Sequence, residues 1–159
     1  MAITSFRGEY AFLSNFWNAP VIYKGQSFTN SEAAYQAQKC ANEADKEQFS
    51  EFNGGKAKRE GRKVAIREDW EDIKLSEMQA IVRAKFSQNP ELKEMLLATG
   101  DEHIEEANNW GDTIWGTVDG VGENLLGRIL MEVRDELREK SKVTLFEENK
   151  FINRLLTNE

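Results

Sequence analysis

The stretch Ser31-Glu32-Ala33-Ala34-Tyr35-Gln36-Ala37-Gln38-Lys39 decides how this chain is read. Ser31 is a helix-capping residue type, and the run behind it holds strong helix formers without Gly or Pro. The pattern predicts a helix over about 31–42. At 3.6 residues per turn, Glu32, Gln36 and Lys39 fall within about 60° of one another on one face. Ala33, Ala34, Ala37, Cys40 and Ala41 lie on the other faces, small enough for a neighbouring element to approach closely. Lys39 stands about 10 Å along the axis from Glu32, too far for an i,i+4 pair but suited to bracket a group the size of a sugar. A lysine whose pKa is lowered by burial can act as a nucleophile toward a carbonyl-like carbon. Taken alone, this face reads as solvated surface. Combined with the Trp, Gly and Asn motifs elsewhere, it reads as one wall of an active site.

The 159 residues fit one compact domain, or one domain with a short appendage. Nine Phe, four Trp and three Tyr in a 40% hydrophobic composition are enough for a real core. A net charge of −7 argues against broad binding to duplex nucleic acid, which needs Lys and Arg to neutralise phosphates. No apolar run reaches the roughly 18 residues of a membrane span, and no basic-then-apolar secretory signal opens the chain, so no membrane association is expected. One Cys and one His are too few for a structural zinc site, so neither metal nor cofactor is expected. A lone Cys40 makes the cytoplasm the default location. His103 sits in the acidic run Gly100–Glu106, which reads as an exposed helix start or turn. Acid, base and nucleophile are therefore expected among carboxylates and amines.

Val21–Tyr23, Lys24-Gly25 and Gln26–Phe28 read as a β-hairpin with Gly25 supplying a positive φ. Asn53-Gly54-Gly55 reads as a break before a basic helical segment, Lys56 to Ile66. Residues 68–88 carry the longest helical stripe, ended by Asn89-Pro90, and a short helix follows from Glu91 to Ala98. Residues 107–123 have no helical period, and long irregular loops in compact chains are often functional. A helix from about Asn124 to Glu139 comes next. Lys140-Ser141-Lys142 reads as a seam before a short amphipathic helix, Leu145 to Leu156. The expected class is α+β: a single compact, mainly helical domain with a small antiparallel sheet near the N-terminus. Residues 1–140 form that domain and 141–159 a C-terminal extension.

Four further constellations carry chemistry. In Phe12-Leu13-Ser14-Asn15-Phe16, Ser14 and Asn15 either satisfy local backbone groups or hydrogen-bond a polar ligand beside an aromatic wall. Trp70 is a core anchor whose edge suits stacking on a heteroaromatic base. Arg62, Arg67 and Arg83 suit bidentate pairing with phosphate, or equally with surface carboxylates. The loop Asp112-x-x-Trp115-Gly116, followed by Gly120-x-Gly122-x-Asn124, offers glycines for close backbone approach and a helix N-terminus that favours an anion. Asp112 is a candidate acid or base, or a loop cap.

In this order, the segments resemble the YbiA-like family, also called NADAR for its association with NAD and ADP-ribose metabolism. The matching signature is Phe6-x-Gly8, Phe12-Leu-Ser-Asn-Phe16, Ser31-Glu32, Gln36-Ala-Gln-Lys39, Gly61-Arg62, Arg67-x-x-Trp70, Arg83-Ala-Lys-Phe86, Leu96-Leu-x-x-Thr99, Asp112-x-x-Trp-Gly116, Gly120-x-Gly122-x-Asn124-x-Leu-Gly127 and Leu130-Met-x-x-Arg134. It spans roughly residues 6–138. Many relatives have Ser-Glu-His where this chain has Ser31-Glu32-Ala33.

The resemblance implies an N-glycosidase that cleaves the bond between ribose C1′ and an exocyclic amine. The substrate is either an ADP-ribosylated guanine adduct, with nucleic acid only as its carrier, or a ribosylaminopyrimidine phosphate of riboflavin biosynthesis. On this reading Lys39 captures C1′ as an imine, Glu32 shuttles the proton and Asp112 assists. Trp70 and Trp115 hold base or ribose beside Phe16 and Ser14, Asn15 and Asn124 bond hydroxyls, and Gln36 completes the Glu32 wall. Arg62, Arg67 and the Gly120–Gly122 turn face phosphate, and Gly116 belongs to the same substrate-binding set. The alternative is a non-catalytic ADP-ribose or nucleotide-binding module, for which the missing His at Ala33 speaks. A third reading is a helical interaction protein using residues 143–157.

Overall fold

Asn30 starts the central helix of the computed structural model, which describes residues 1–157. Its side chain accepts from the Ala33 amide at 2.8 Å and so caps α1, Ser31–Gln38. The cap thus lies one residue before the expected Ser31, whose hydroxyl instead donates to Asn15 Oδ1 at 3.0 Å. Lys39 closes α1 as its C-cap. All eight residues of α1 are buried, polar ones included, because α3, α4 and the hairpin strands pack around it.

The predicted hairpin is present as β2, Val21–Tyr23, paired antiparallel with β3, Gln26–Phe28. Lys24 and Gly25 both have positive φ, the two-residue turn whose twist matches flanking strands. A second, parallel pair joins β1, Ala2–Ile3, to β4, His103–Ile104. That pairing spans a hundred residues of chain and puts an exposed His103 on a strand rather than at a helix start or turn.

A short helix α2, Glu43–Glu47, precedes α3, Gly54–Gly61. Asn53 caps α3 by accepting from the Lys56 amide at 2.8 Å, so the expected break is the first helical turn. After Gly61 the chain turns, and Ile66 bridges to Cys40 just past α1, so the helix ends earlier than Ile66. The α4 helix, Trp70–Gln88, and α5, Pro90–Ala98, match the predicted periods, with Pro90 in the first turn where its missing N–H is not needed.

The last helix, α6, runs unbroken from Leu125 to Thr157. The expected seam at Lys140–Lys142 is absent because Lys and Ser interrupt no backbone hydrogen bonds. The core lies where α1, α4 and the first half of α6 meet, around Phe12, Leu13, Ile81, Phe86, Leu126 and Leu130. Beyond Leu137 no residue of α6 is buried. The extension expected over 141–159 is helical through Thr157, and residues 158–159 lie outside the described residues. Among the described residues, no helix is long and apolar enough to cross a membrane.

Candidate active site

The face of α1 that carries Glu32, Gln36 and Lys39 opens into a cavity of about 720 Å³. Its other walls come from the Ser14–Phe16 turn, Lys58 of α3, Trp70 and Met78 of α4, and the loop around Glu106, Asp112 and Trp115. A volume of this size is typical of small-molecule sites. The packing of α3 at the edge of this cavity is close: an added Cβ on Gly61 would collide with Gln36 Oε1, and one on Gly54 would stand 2.7 Å from Phe16 Cγ. Glycine at both positions lets α3 press against α1 and the Phe16 turn.

Glu32 is 8% exposed and accepts from Gln36 Nε2 at 2.9 Å. Burial raises its pKa; the bond from Gln36 and the charges of Lys58 and Lys39 oppose that, and Asp112 adds to it. Lys39 is half-buried, and burial lowers its pKa against the pull of Glu32. One wall therefore holds a carboxyl inclined to keep its proton and an amine inclined to lose one.

Glu106, which sequence reasoning passed over, joins them in the cavity. Its pKa is raised to about 7, first by burial and then by the charges of Asp112 and Glu32. The acidic run Glu102–Glu106 reads as solvated surface. The signal that could have found Glu106 is its position at the mouth of the irregular loop, six residues before Asp112.

Most predicted site residues converge. Ser14, Asn15, Phe16, Glu32, Gln36, Lys39, Trp70, Asp112, Trp115 and Gly120 all line the cavity. Trp70 and Trp115 flank Tyr35, at ring-centroid distances of 5.1 and 5.6 Å, and form an aromatic floor. Asn15 reaches the cavity with its amide engaged to Ser31 and Met78. Asp112 also serves its loop, its Oδ1 accepting from the amides of Ile114 and Trp115 at 3.0 and 2.9 Å.

The turn that bears Ser14 and Asn15 is held from behind by Lys85, which is 1% exposed. Its Nζ donates to the carbonyls of Phe12 and Ser14 at 2.7 and 3.0 Å. Burial pushes this lysine down to about 7.

Five predicted residues fall elsewhere. Asn124 does not face a ligand: its Oδ1 accepts from the Glu106 amide at 3.0 Å and its Nδ2 donates to Ile104 O at 2.9 Å. It ties the loop to β4. Gly116 packs against the Glu106 carbonyl and Gly122 against the carbonyls of Gly116 and Thr113, so both serve loop packing. Arg67 is committed to Asp69, with bonds of 2.5 and 2.9 Å. Arg62 lines a smaller adjoining cavity rather than the main one.

The expected anion site at the start of α6 is also corrected. The amides of Glu123, Asn124, Leu125 and Leu126 donate to the carbonyls of Thr113, Gly116, Ile114 and Trp115, so these four are engaged by the loop rather than held open for a phosphate. Ala33 is fully buried in the core and does not line the cavity, so it stands behind the wall that Glu32, Gln36 and Lys39 form.

With this geometry in view, a model of the NADAR domain matches residues 5–138. The chain is 37% identical over 136 residues to N-glycosidase YbiA of Escherichia coli (strain K12), covering 81% of this chain and 82% of that protein. It is 40% identical over 141 residues to riboflavin biosynthesis protein VVA0006 of Vibrio vulnificus (strain YJ016), covering 86% of this chain but only 38% of that longer protein. The NMR structure of Escherichia coli YbiA superposes with a TM-score of 0.77 at 34% identity, covering 88% of this chain and 87% of the other. The fold, the family match and the shared length agree: this chain belongs to the NADAR domain family.

Proposed function

We propose that this protein hydrolyses an N-glycosyl bond between ribose C1′ and an exocyclic amine, with Lys39 as the nucleophile and Glu32 as the proton donor. The class of reaction, hydrolysis at an N-glycosyl bond, accords with relatives named N-glycosidase and riboflavin biosynthesis protein. The observation that carries the mechanism is the pairing on one cavity wall of a lysine depressed by burial with a carboxyl raised by burial. Opposed environments of this kind separate the acid from the nucleophile at one pH.

The glycosylamine ring opens when the ring oxygen takes a proton and the exocyclic nitrogen donates its lone pair to C1′, giving an imine. The neutral Lys39 amine adds to C1′, forming a second C–N bond. Glu32 protonates the exocyclic amine, which leaves as the free amine, and C1′ remains joined to Lys39 as an iminium. Water adds to C1′ while a carboxylate takes its proton, and collapse of the carbinolamine frees the ribose aldehyde and regenerates Lys39. Glu106, poised near pH 7, suits the second proton transfer. The aromatic floor of Trp70, Tyr35 and Trp115 suits the flat base.

The substrate is a ribosylaminopyrimidine phosphate or an ADP-ribosyl adduct of guanine. A product assay offering both tells them apart. Borohydride reduction during turnover, read by mass spectrometry, is expected to leave a ribosyl mass on the peptide containing Lys39. Lys39→Ala is expected to lose activity by roughly 10²- to 10⁴-fold. Full activity in that variant ends the imine mechanism.

A further inference from the structure

Lys85 carries its charge into the core without a carboxylate to meet it. Its ammonium meets the carbonyls of Phe12 and Ser14 and, at 5.0 Å, the ring of Phe86. The charged groups on the elements around it are committed elsewhere. On α1, Glu32 bonds Gln36; on the hairpin side, Glu77 bonds Tyr23 and Lys24; on α6, Glu136 pairs with Arg83 and Arg134 bonds Thr99. Glu9, in the 3-10 helix Gly8–Leu13, and Glu91 and Glu94 of α5 are exposed. Burying an ion without a counter-ion is costly, and a methionine of similar length would fill the space with no charge to desolvate. The charge therefore calls for a reason.

That reason lies in the backbone it holds. The end of a helix leaves carbonyls without partners and favours a cation. Lys85 meets the Phe12 carbonyl at the end of the 3-10 helix, and its second bond reaches the Ser14 carbonyl beyond it. The next residue, Asn15, grips the start of α1. Its carbonyl accepts from the Glu32 amide at 3.0 Å, one of the orphan donors of a first helical turn, and its Oδ1 accepts from the Ser31 hydroxyl. Two adjacent carbonyls, those of Ser14 and Asn15, thus join the ammonium to the backbone of Glu32.

We propose that Lys85 is a positioning residue for Glu32: its charge holds the Ser14–Asn15 turn, and the turn holds the end of α1 from which Glu32 reaches the cavity. The proposal rests on the reading of Glu32 as the proton donor. Charge-assisted bonds are about twice as strong as neutral ones. The turn therefore loosens as Lys85 gives up its proton, near the value of about 7 to which burial pushes it. The fold does not weaken with it. The penalty for burying the charge is fully present below about 7 and gone above the ordinary value of 10.5, so this group makes the fold more stable as pH rises. Activity lost to Lys85 over that range is lost alignment, not unfolding.

Two readouts on the full chain test this. In the unaltered protein, the hydrogen-exchange protection of the Glu32 amide, corrected for intrinsic rate, is expected to fall at least about three-fold between pH 6 and pH 8.5. Its midpoint is expected to match that of the Lys85 ammonium followed by NMR. The Ala33 amide, bonded to Asn30 in the same turn, is expected to keep its protection, and Glu106→Gln to leave the Glu32 inflection in place. A Glu32 amide that ignores the titration of Lys85, or an inflection lost in Glu106→Gln, overturns the proposal, and neither outcome needs a Lys85 variant to fold. The second readout is the kcat ratio of the unaltered protein to Lys85→Met, assayed on ribosylaminopyrimidine phosphate and on guanine-ADP-ribosylated DNA. It is expected to be at least about ten-fold at pH 6 and to narrow below about three-fold at pH 9. Lys39, Glu32 and Glu106 titrate in both proteins and cancel in the ratio. A Glu32 amide that follows Lys85, with a ratio independent of pH, leaves the positioning in place and ends the reading of Glu32 as the proton donor.

Discussion

Helix α1 and the distal half of α6 invert the usual relation between polarity and burial. The first carries Ser31, Glu32, Gln36 and Gln38, yet every residue is buried. The second carries Val143, Leu145, Phe146, Phe151, Ile152, Leu155 and Leu156, yet all are exposed. The difference teaches that position in the fold, not local hydropathy, decides what is inside. The α1 helix is reached from all sides by α3, α4 and the Ser14–Phe16 turn, while α6 outruns the domain that covers its first half. Burying polar groups costs free energy unless they are paired. The unpartnered Gln36 Oε1, beside a carboxyl held above its ordinary pKa, marks where α1 bears that cost for the sake of its cavity.

The strongest way to break the contrast is to loosen the packing behind α1. Gly61→Ala places a methyl group against Gln36 Oε1, and the amide can retreat only by giving up its bond to Glu32. A loss of up to roughly 3 kcal/mol is expected, with activity falling as Glu32 loses its Gln36 bond. Denaturant melts and a turnover assay check both; an unchanged variant means α3 does not hold the wall.

A subtler change concerns the charge facing α1. The Glu106 pKa is raised in the folded protein, so its protonation favours folding. That contribution is fully present below its unfolded value near 4.5 and is lost as pH rises through about 7. Glu106→Gln removes this dependence. At pH 8 the variant is expected to be more stable than the parent, by on the order of 2 kcal/mol, with little difference at pH 4.5. Urea melts at the two pH values decide, and an equal difference at both contradicts the assignment.

The smallest effect is expected at the other end of the comparison. Truncation after Glu139 removes helix that touches no core, so stability should stay within about 0.5 kcal/mol and activity should be unchanged. A large drop in the melting temperature would mean that the exposed stripe is covered in solution.

Much of this fold is legible in the residues. The Lys24-Gly25 hairpin, the stripe of α4 and the stop at Pro90 depend on neighbours in sequence, and each lies where its pattern puts it. The cavity wall of Glu32, Gln36 and Lys39 was legible as a set of residue types at helical spacing. Whether that wall faced solvent was not, because α3 and the Phe16 turn that enclose it are brought in by tertiary contact. Glu106 escaped notice for the same reason: an acidic run looks solvated until β4 pairs with β1 and draws its end into the cavity. The engagement of the amides at the start of α6 by loop carbonyls was likewise invisible to motif reasoning.

The sequence by itself determined most of the helices and the hairpin, the inventory of carboxylates and amines, and the resemblance to a family that the comparisons bear out. Only the tertiary structure decided which face of α1 is a cavity wall, which arginines remain unpaired and which carboxyls are desolvated. The physical reason is one of range. Helical period and turn chemistry act over a few residues, whereas desolvation and charge coupling depend on elements a hundred residues apart in the chain that meet only when it folds.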